Sequence, residues 1–182
     1  MILNRTVAAI LLILGTMAGG FEAHAAGKSN TNGATSLIEF KIKDQFGTVH
    51  RADDVAASVV LLIGGDKDGS VYNAQWGEAI NEAVREHPNY EQLARLPHAD
   101  LRGVPFFVKG MVKSKMPEDP KQWVLMDWKG ALPKAYQFVA GSTNVLVFAP
   151  DGRLHHQSAG KELEEGALQA IVRALHEMLN TL

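Results

Sequence analysis

The chain has 182 residues, of which 46% are apolar and 21% charged, enough for one domain and too apolar to remain wholly disordered. Its 18 Lys and Arg against 20 Asp and Glu leave a net charge of −2, too balanced for a nucleic-acid or anionic-membrane surface. Cysteine is absent, which excludes disulfides, thiolate metal ligands, cysteine nucleophiles and a lipid-anchored N-terminal cysteine.

Arg5 supplies a positive start, Val7–Ala18 is apolar apart from Gly15 and Thr16, and Ala23-His24-Ala25 places small residues before Ala26. This pattern predicts a secretory signal peptide over residues 1–25. A retained membrane anchor is the alternative, but the run is shorter than the roughly 20 residues a span needs. The expected product is secreted and periplasmic, with no stable membrane span after cleavage. Residues 26–35 are small and polar and predict a flexible tether; residues 36–182 are the expected domain.

Ile38, Phe40 and Ile42 alternate with Glu39, Lys41 and Lys43, predicting a half-buried strand. Asp44-Gln45-Phe46-Gly47 turns it, and a short return strand is expected near Thr48–His50. The continuous run Val59–Ile63 reads as a central strand buried on both faces. Gly64–Ser70 is expected as a loop. A helix follows over about Val71–His87, with Ser70 as its N-cap and Trp76, Ile80, Ala83, Val84 and His87 on one face. Pro88 ends it.

Leu93–Leu101 carries a weaker strand signal. Gly103-Val104-Pro105 opens a second helix through Phe107, Val108, Met111, Val112 and Lys115. Met116–Gln122 is loop, Trp123–Met126 a strand, and Leu132–Tyr136 a short helix. Val145–Phe148, the Pro150-Asp151-Gly152-Arg153 turn and Leu154–Ser158 predict a hairpin. The last helix, about Glu162–Leu179, carries the apolar stripe Leu168, Ile171, Val172, Leu175, Met178, Leu179 and Leu182. Helical crossovers imply parallel strands and the hairpin adds antiparallel ones, so the expected fold is α/β, a mixed sheet flanked by helices.

Four stretches carry a resemblance. They are the opening Phe40–Gly47, the strand Val59–Ile63 with its loop and Trp76 helix, the phrase Asn144–Arg153, and Gly160 with the final helix. Together these resemble the thioredoxin-like fold of the exported redoxins, the peroxiredoxin-like and cytochrome-maturation-like proteins, over about residues 37–182, with an N-terminal strand extension. In that family the reactive cysteine lies between the buried strand and the first helix, where the helix terminus lowers the thiol pKa. Here the stretch is Gly64-Gly65-Asp66-Lys67-Asp68-Gly69-Ser70-Val71-Tyr72-Asn73, without a thiol. Many relatives place a cis-proline before the hairpin strand; here Gly141-Ser142-Thr143-Asn144 contains none.

Other chemistries fit poorly. Gly64 to Ser70 has P-loop spacing without its lysine, and Asp66 and Asp68 would repel phosphate. A calcium loop starting at Asp66 would need Gly at Val71 and Glu at Gly77. His155 and His156 are adjacent in a predicted strand and should face opposite sides, so one metal cannot take both. His50, His87, His98 and His176 show no metal-ligand spacing. No Gly-x-Ser-x-Gly elbow occurs.

The resemblance without its thiols implies a binding or adaptor module rather than a redox enzyme. The former active-site face would carry it: Asp66, Lys67, Asp68, Gly69, Ser70, Tyr72, Trp128, Ser142 and Thr143. The expected partner is an envelope protein or a small ligand, with no cofactor, no metal site and no catalytic residue. The alternatives are a cysteine-independent peroxidase or antioxidant enzyme on the same scaffold and a metal-binding envelope protein.

Overall fold

The computed structural model describes residues 33–182. The expected signal peptide and most of the expected tether lie outside the described residues. In chain order the elements are β1 (Lys41–Lys43), β2 (Val49–Arg51), β3 (Val59–Gly65), α1 (Asn73–Val84), β4 (Leu93–Asp100), α2 (Lys109–Lys113), β5 (Leu125–Asp127), α3 (Ala131–Ala135), β6 (Thr143–Phe148), β7 (Leu154–Gly160) and α4 (Glu165–Leu179).

β1 and β2 form a small antiparallel ribbon around the Asp44–Gly47 turn. The other strands form one sheet in the order β5-β4-β3-β6-β7. β4 pairs parallel with both β3 and β5, while β6 runs antiparallel to β3 and β7 antiparallel to β6. β3 is central because both of its faces are apolar. Leu61 joins Val145, Val147, Trp76, Ile80, Ile171 and Leu175 under α1 and α4. Leu62 joins Leu96, Leu125, Leu146, Phe148, Leu132 and Tyr136 on the α3 side. The mixed sheet flanked by helices expected from the element order is the one observed.

Several local details differ from expectation. Ser70 does not cap α1: it opens a 3-10 turn, Ser70–Tyr72, its hydroxyl donates to the Lys67 carbonyl, and no side chain caps the helix. Ala83 and Leu182 are exposed rather than part of their apolar faces. The helix expected after Pro105 is only a 3-10 turn and the five-residue α2, since Val108, Gly110 and Val112 are weak helix formers. The described end of the expected tether is tied down: Ala34 donates to the Ala135 carbonyl, and the Thr35 carbonyl accepts from Leu154.

The β6–β7 ladder contains a bulge, with Val147 opposite His156 and Phe148 opposite Leu154. The extra residue is His155. His156 thus shares its register with Val147, on the side covered by α4, while His155 reaches Glu177 of α4 at 2.9 Å. The expectation that the two rings face opposite sides fails because a bulge breaks the two-residue period.

Candidate functional site

β3, β4 and β5 all end at one edge of the sheet, and β6 begins there. In open α/β sheets this carboxyl edge is where loops converge on ligands. Two of those loops lock together. Asp66, just after β3, accepts N–H bonds from Asp68 (3.1 Å) and Gly69 (2.8 Å) on Oδ1. Its Oδ2 accepts from the Gly141 N–H at 2.9 Å. Burial alone would raise the Asp66 pKa, but these three N–H donors and the Arg102 charge hold it below its ordinary value. The carboxylate is a clamp between the β3–α1 loop and the segment preceding β6.

Gly69 closes the same junction. A Cβ there would lie 2.1 Å from the Ser142 carbonyl oxygen, and one on Gly65 would lie 2.9 Å from it. The two backbones meet so closely that only glycine fits at residue 69. Thr143 is fully buried; its hydroxyl lies 3.2 Å from the Gly69 carbonyl and 2.8 Å from Asn73 Oδ1. No cis peptide bond occurs among the described residues.

Of the residues expected at the site, Asp66, Ser142 and Thr143 thus meet through Gly69, which each of them approaches. Lys67 and Asp68 sit exposed at the loop tip, and Ser70 is half-buried beside them. Tyr72 is partly buried against the α1–α4 core. Trp128 follows β5, two strands away on the same edge. It packs with Ala99, Leu101 and Met126, and Lys109 Nζ lies 4.8 Å above its ring.

Sequence reasoning missed a second polar layer beneath these loops, on the α3 face of the sheet. His98, Asp100, Asp127 and Asn144 are all buried there. His98 Nε2 lies 3.4 Å from Asp127 Oδ2, and its Nδ1 has no hydrogen-bond partner. A Cβ on Gly64 would lie 2.5 Å from that Nδ1, so the glycine makes room for the ring. Burial would raise the Asp127 pKa, but the His98 hydrogen bond and the Ala131 and Leu132 N–H groups hold it low. Asp100 takes a fork of hydrogen bonds from Arg102 (2.6–3.0 Å). Asn144 bonds Val139 through N–H and carbonyl and also donates to the Ser142 carbonyl.

The signal for this layer was available. His98 and Asp100 stand two and four residues after the buried Leu96, on one phase of β4, and Asp127 stands two after Leu125.

Chemically, the edge offers an interlocked pair of loops over a buried polar layer that is hydrogen-bonded except at His98 Nδ1. No described hydroxyl is hydrogen-bonded to His98, so the His98–Asp127 pair is not wired to a nucleophile. Among the described residues, no group of three or more His, Asp and Glu side chains is arranged to hold a metal ion.

No family model and no curated protein sequence matches the chain. Solved structures do match. BsSco, a member of the Sco family of cytochrome c oxidase assembly proteins, has a TM-score of 0.57 at 13% identity, over 85% of this chain and 98% of its own. Peroxiredoxin Q of Xanthomonas campestris has a TM-score of 0.55 at 16% identity, over 77% of this chain and 92% of its own. The exposed lipoprotein thioredoxin Etrx1 of Streptococcus pneumoniae has a TM-score of 0.54 at 18% identity, over 75% and 98% respectively. At such identities the likeness is one of fold. The chain has the thioredoxin-like fold of these redoxins and carries it without a single cysteine.

Proposed function

We propose that this protein is an exported binding or adaptor module that engages a partner through the loop edge formed by residues 66–72 and 139–143. The observation that carries this reading is the interlock of the two loops. Three N–H bonds to Asp66 and the Gly69–Ser142 approach hold the edge in a fixed shape, in a chain with no thiol to position. A preorganised edge reduces the ordering a partner must impose. Around it lie exposed groups suited to a protein surface: Lys67, Asp68, and the side chains of Val71 and Val139. Val71 and Val139 add exposed apolar side chains to this charged edge.

Export is supported by the Arg5, Val7–Ala18 and Ala23-His24-Ala25 pattern. It is supported also by the structural likeness to a thioredoxin described as an exposed lipoprotein. No helix among the described residues is long and apolar enough to cross a membrane.

Site-specific photo-crosslinking in living cells of the host tests the reading. A photoreactive phenylalanine placed at Val71 or Val139 should give the same discrete protein adduct. One placed at Glu91, in the turn before β4 at the opposite sheet edge, should not. Equal labelling from all three positions, or none from the first two, would refute the assignment.

A further inference from the structure

A concavity adjoins the loop edge at Asn73. It is a groove of about 680 Å³ on the α1 face of the sheet, within the roughly 300–1,000 Å³ typical of small-molecule sites. Its floor is Leu61 and Ile63 of β3 with Leu93 and Pro97 of β4, and one wall is α1. The opposite wall is the 117–124 segment. That wall is anchored from the β1–β2 turn: Gln45 Nε2 donates to the Pro117 and Gln122 carbonyls at 3.1 and 3.0 Å. Gln45 Oε1 accepts from the Val124 N–H at 2.8 Å, and the His50 ring stacks on Trp123 at 4.1 Å.

Two observations define an occupant. The first is charge. Arg95 and Lys121 line the groove and no Asp or Glu does, although acids outnumber bases in the chain. Arg95 is steadied over the Tyr90 ring, its guanidinium carbon 4.4 Å from the centroid. The second is Gly77. It stands inside α1, where glycine is the poorest helix former after proline. A Cβ there would meet only Ile63 Cδ1, at 3.9 Å, an ordinary contact. Packing does not require glycine, and a side chain at residue 77 would grow into the groove.

We infer that this groove binds a small amphiphile, an apolar chain carrying one carboxylate. The chain would lie along Leu61, Ile63 and Gly77, with the head paired to Arg95 and Lys121. An arginine fork matches carboxylate geometry, and an apolar floor with a few cationic groups suits such a molecule. The groove adjoins the partner-binding edge at Asn73, whose Oδ1 accepts from the Thr143 hydroxyl, but it would take its ligand through different side chains.

Isothermal titration with dodecanoate below its micellar concentration, and with dodecanol as the uncharged match, tests the inference on the whole domain. Saturable one-site binding of dodecanoate is expected, about tenfold or more tighter than dodecanol. Gly77→Leu should abolish both without lowering the melting temperature. Arg95→Glu with Lys121→Glu should weaken dodecanoate by about tenfold or more and leave dodecanol unchanged. Should Gly77→Leu fail to fold, the exposed charge-reversal pair decides alone. Absence of saturable binding, equal affinity for acid and alcohol, or unchanged affinity in a folded Gly77→Leu variant would overturn the site.

Discussion

Asp66 has a different role from the one its position in an acidic loop suggests. It faces inward, and its carboxylate is occupied by three backbone donors. Asp66→Ala leaves those N–H groups without an acceptor, so it should destabilise the domain by about 1–3 kcal/mol. Asp68→Ala, at an exposed position, should change stability by less than about 0.5 kcal/mol. Urea denaturation of the two variants distinguishes clamp from surface. Gly69→Ala forces a Cβ to 2.1 Å from the Ser142 oxygen. It should cost about 1–3 kcal/mol through backbone displacement and separate the two loops, an effect visible as faster amide exchange at Gly141. An unchanged exchange rate there would contradict the interlock.

At the scale of elements, residues with a single periodic demand were legible and those serving two partners were not. β3 is continuously apolar, and the sequence alone marks it as central; Leu62, buried on the α3 side, should lose about 2–5 kcal/mol on Leu62→Ala, measured by thermal or urea unfolding. α4 is legible because its stripe repeats at helical spacing and meets one sheet face. The start of α1 was misread because Ser70 carries a cap's chemistry, yet its hydroxyl turns back to Lys67. The His155–His156 bulge was invisible because nothing in the two residues announces a skipped register. The candidate site was half legible. The resemblance pointed to Asp66, Gly69, Ser142 and Thr143, which the fold brings to one junction. His98 is weighed in the sequence only for metal-ligand spacing, Asp127 and Asn144 fall just outside the expected strands Trp123–Met126 and Val145–Phe148, and the shared phase of Asp100 with Leu96 goes unused.

Across the whole molecule, acid acts in one direction on several groups. Asp44 is held below its ordinary pKa although burial would raise it, by hydrogen bonds from His50, Thr48 and Phe46. Asp66 and Asp127 are held low in the same way. The unfolded chain therefore binds protons more readily, and the stability these carboxylates contribute is present above about pH 4 and lost as pH falls further. His156 is pushed below 6.5 by burial, then by the neighbouring His155. Its folded form resists protonation, so its contribution is complete above about pH 6.5 and declines on acidification through that value. Urea midpoints at about pH 7.5 and 5.5 should fall more for the native protein than for His156→Gln. An equal fall in both would remove His156 from the account.

On the proposed function, the carboxyl edge of this thioredoxin-like sheet is kept rigid for contact rather than for thiol exchange. The most direct measurement reverses the two exposed charges at the loop tip, Lys67→Glu with Asp68→Lys, and reads crosslinking from Val71 beside the urea midpoint. Adduct yield should fall about tenfold with the midpoint unchanged. A full adduct yield from the reversed loop, in a protein just as stable, would contradict this function.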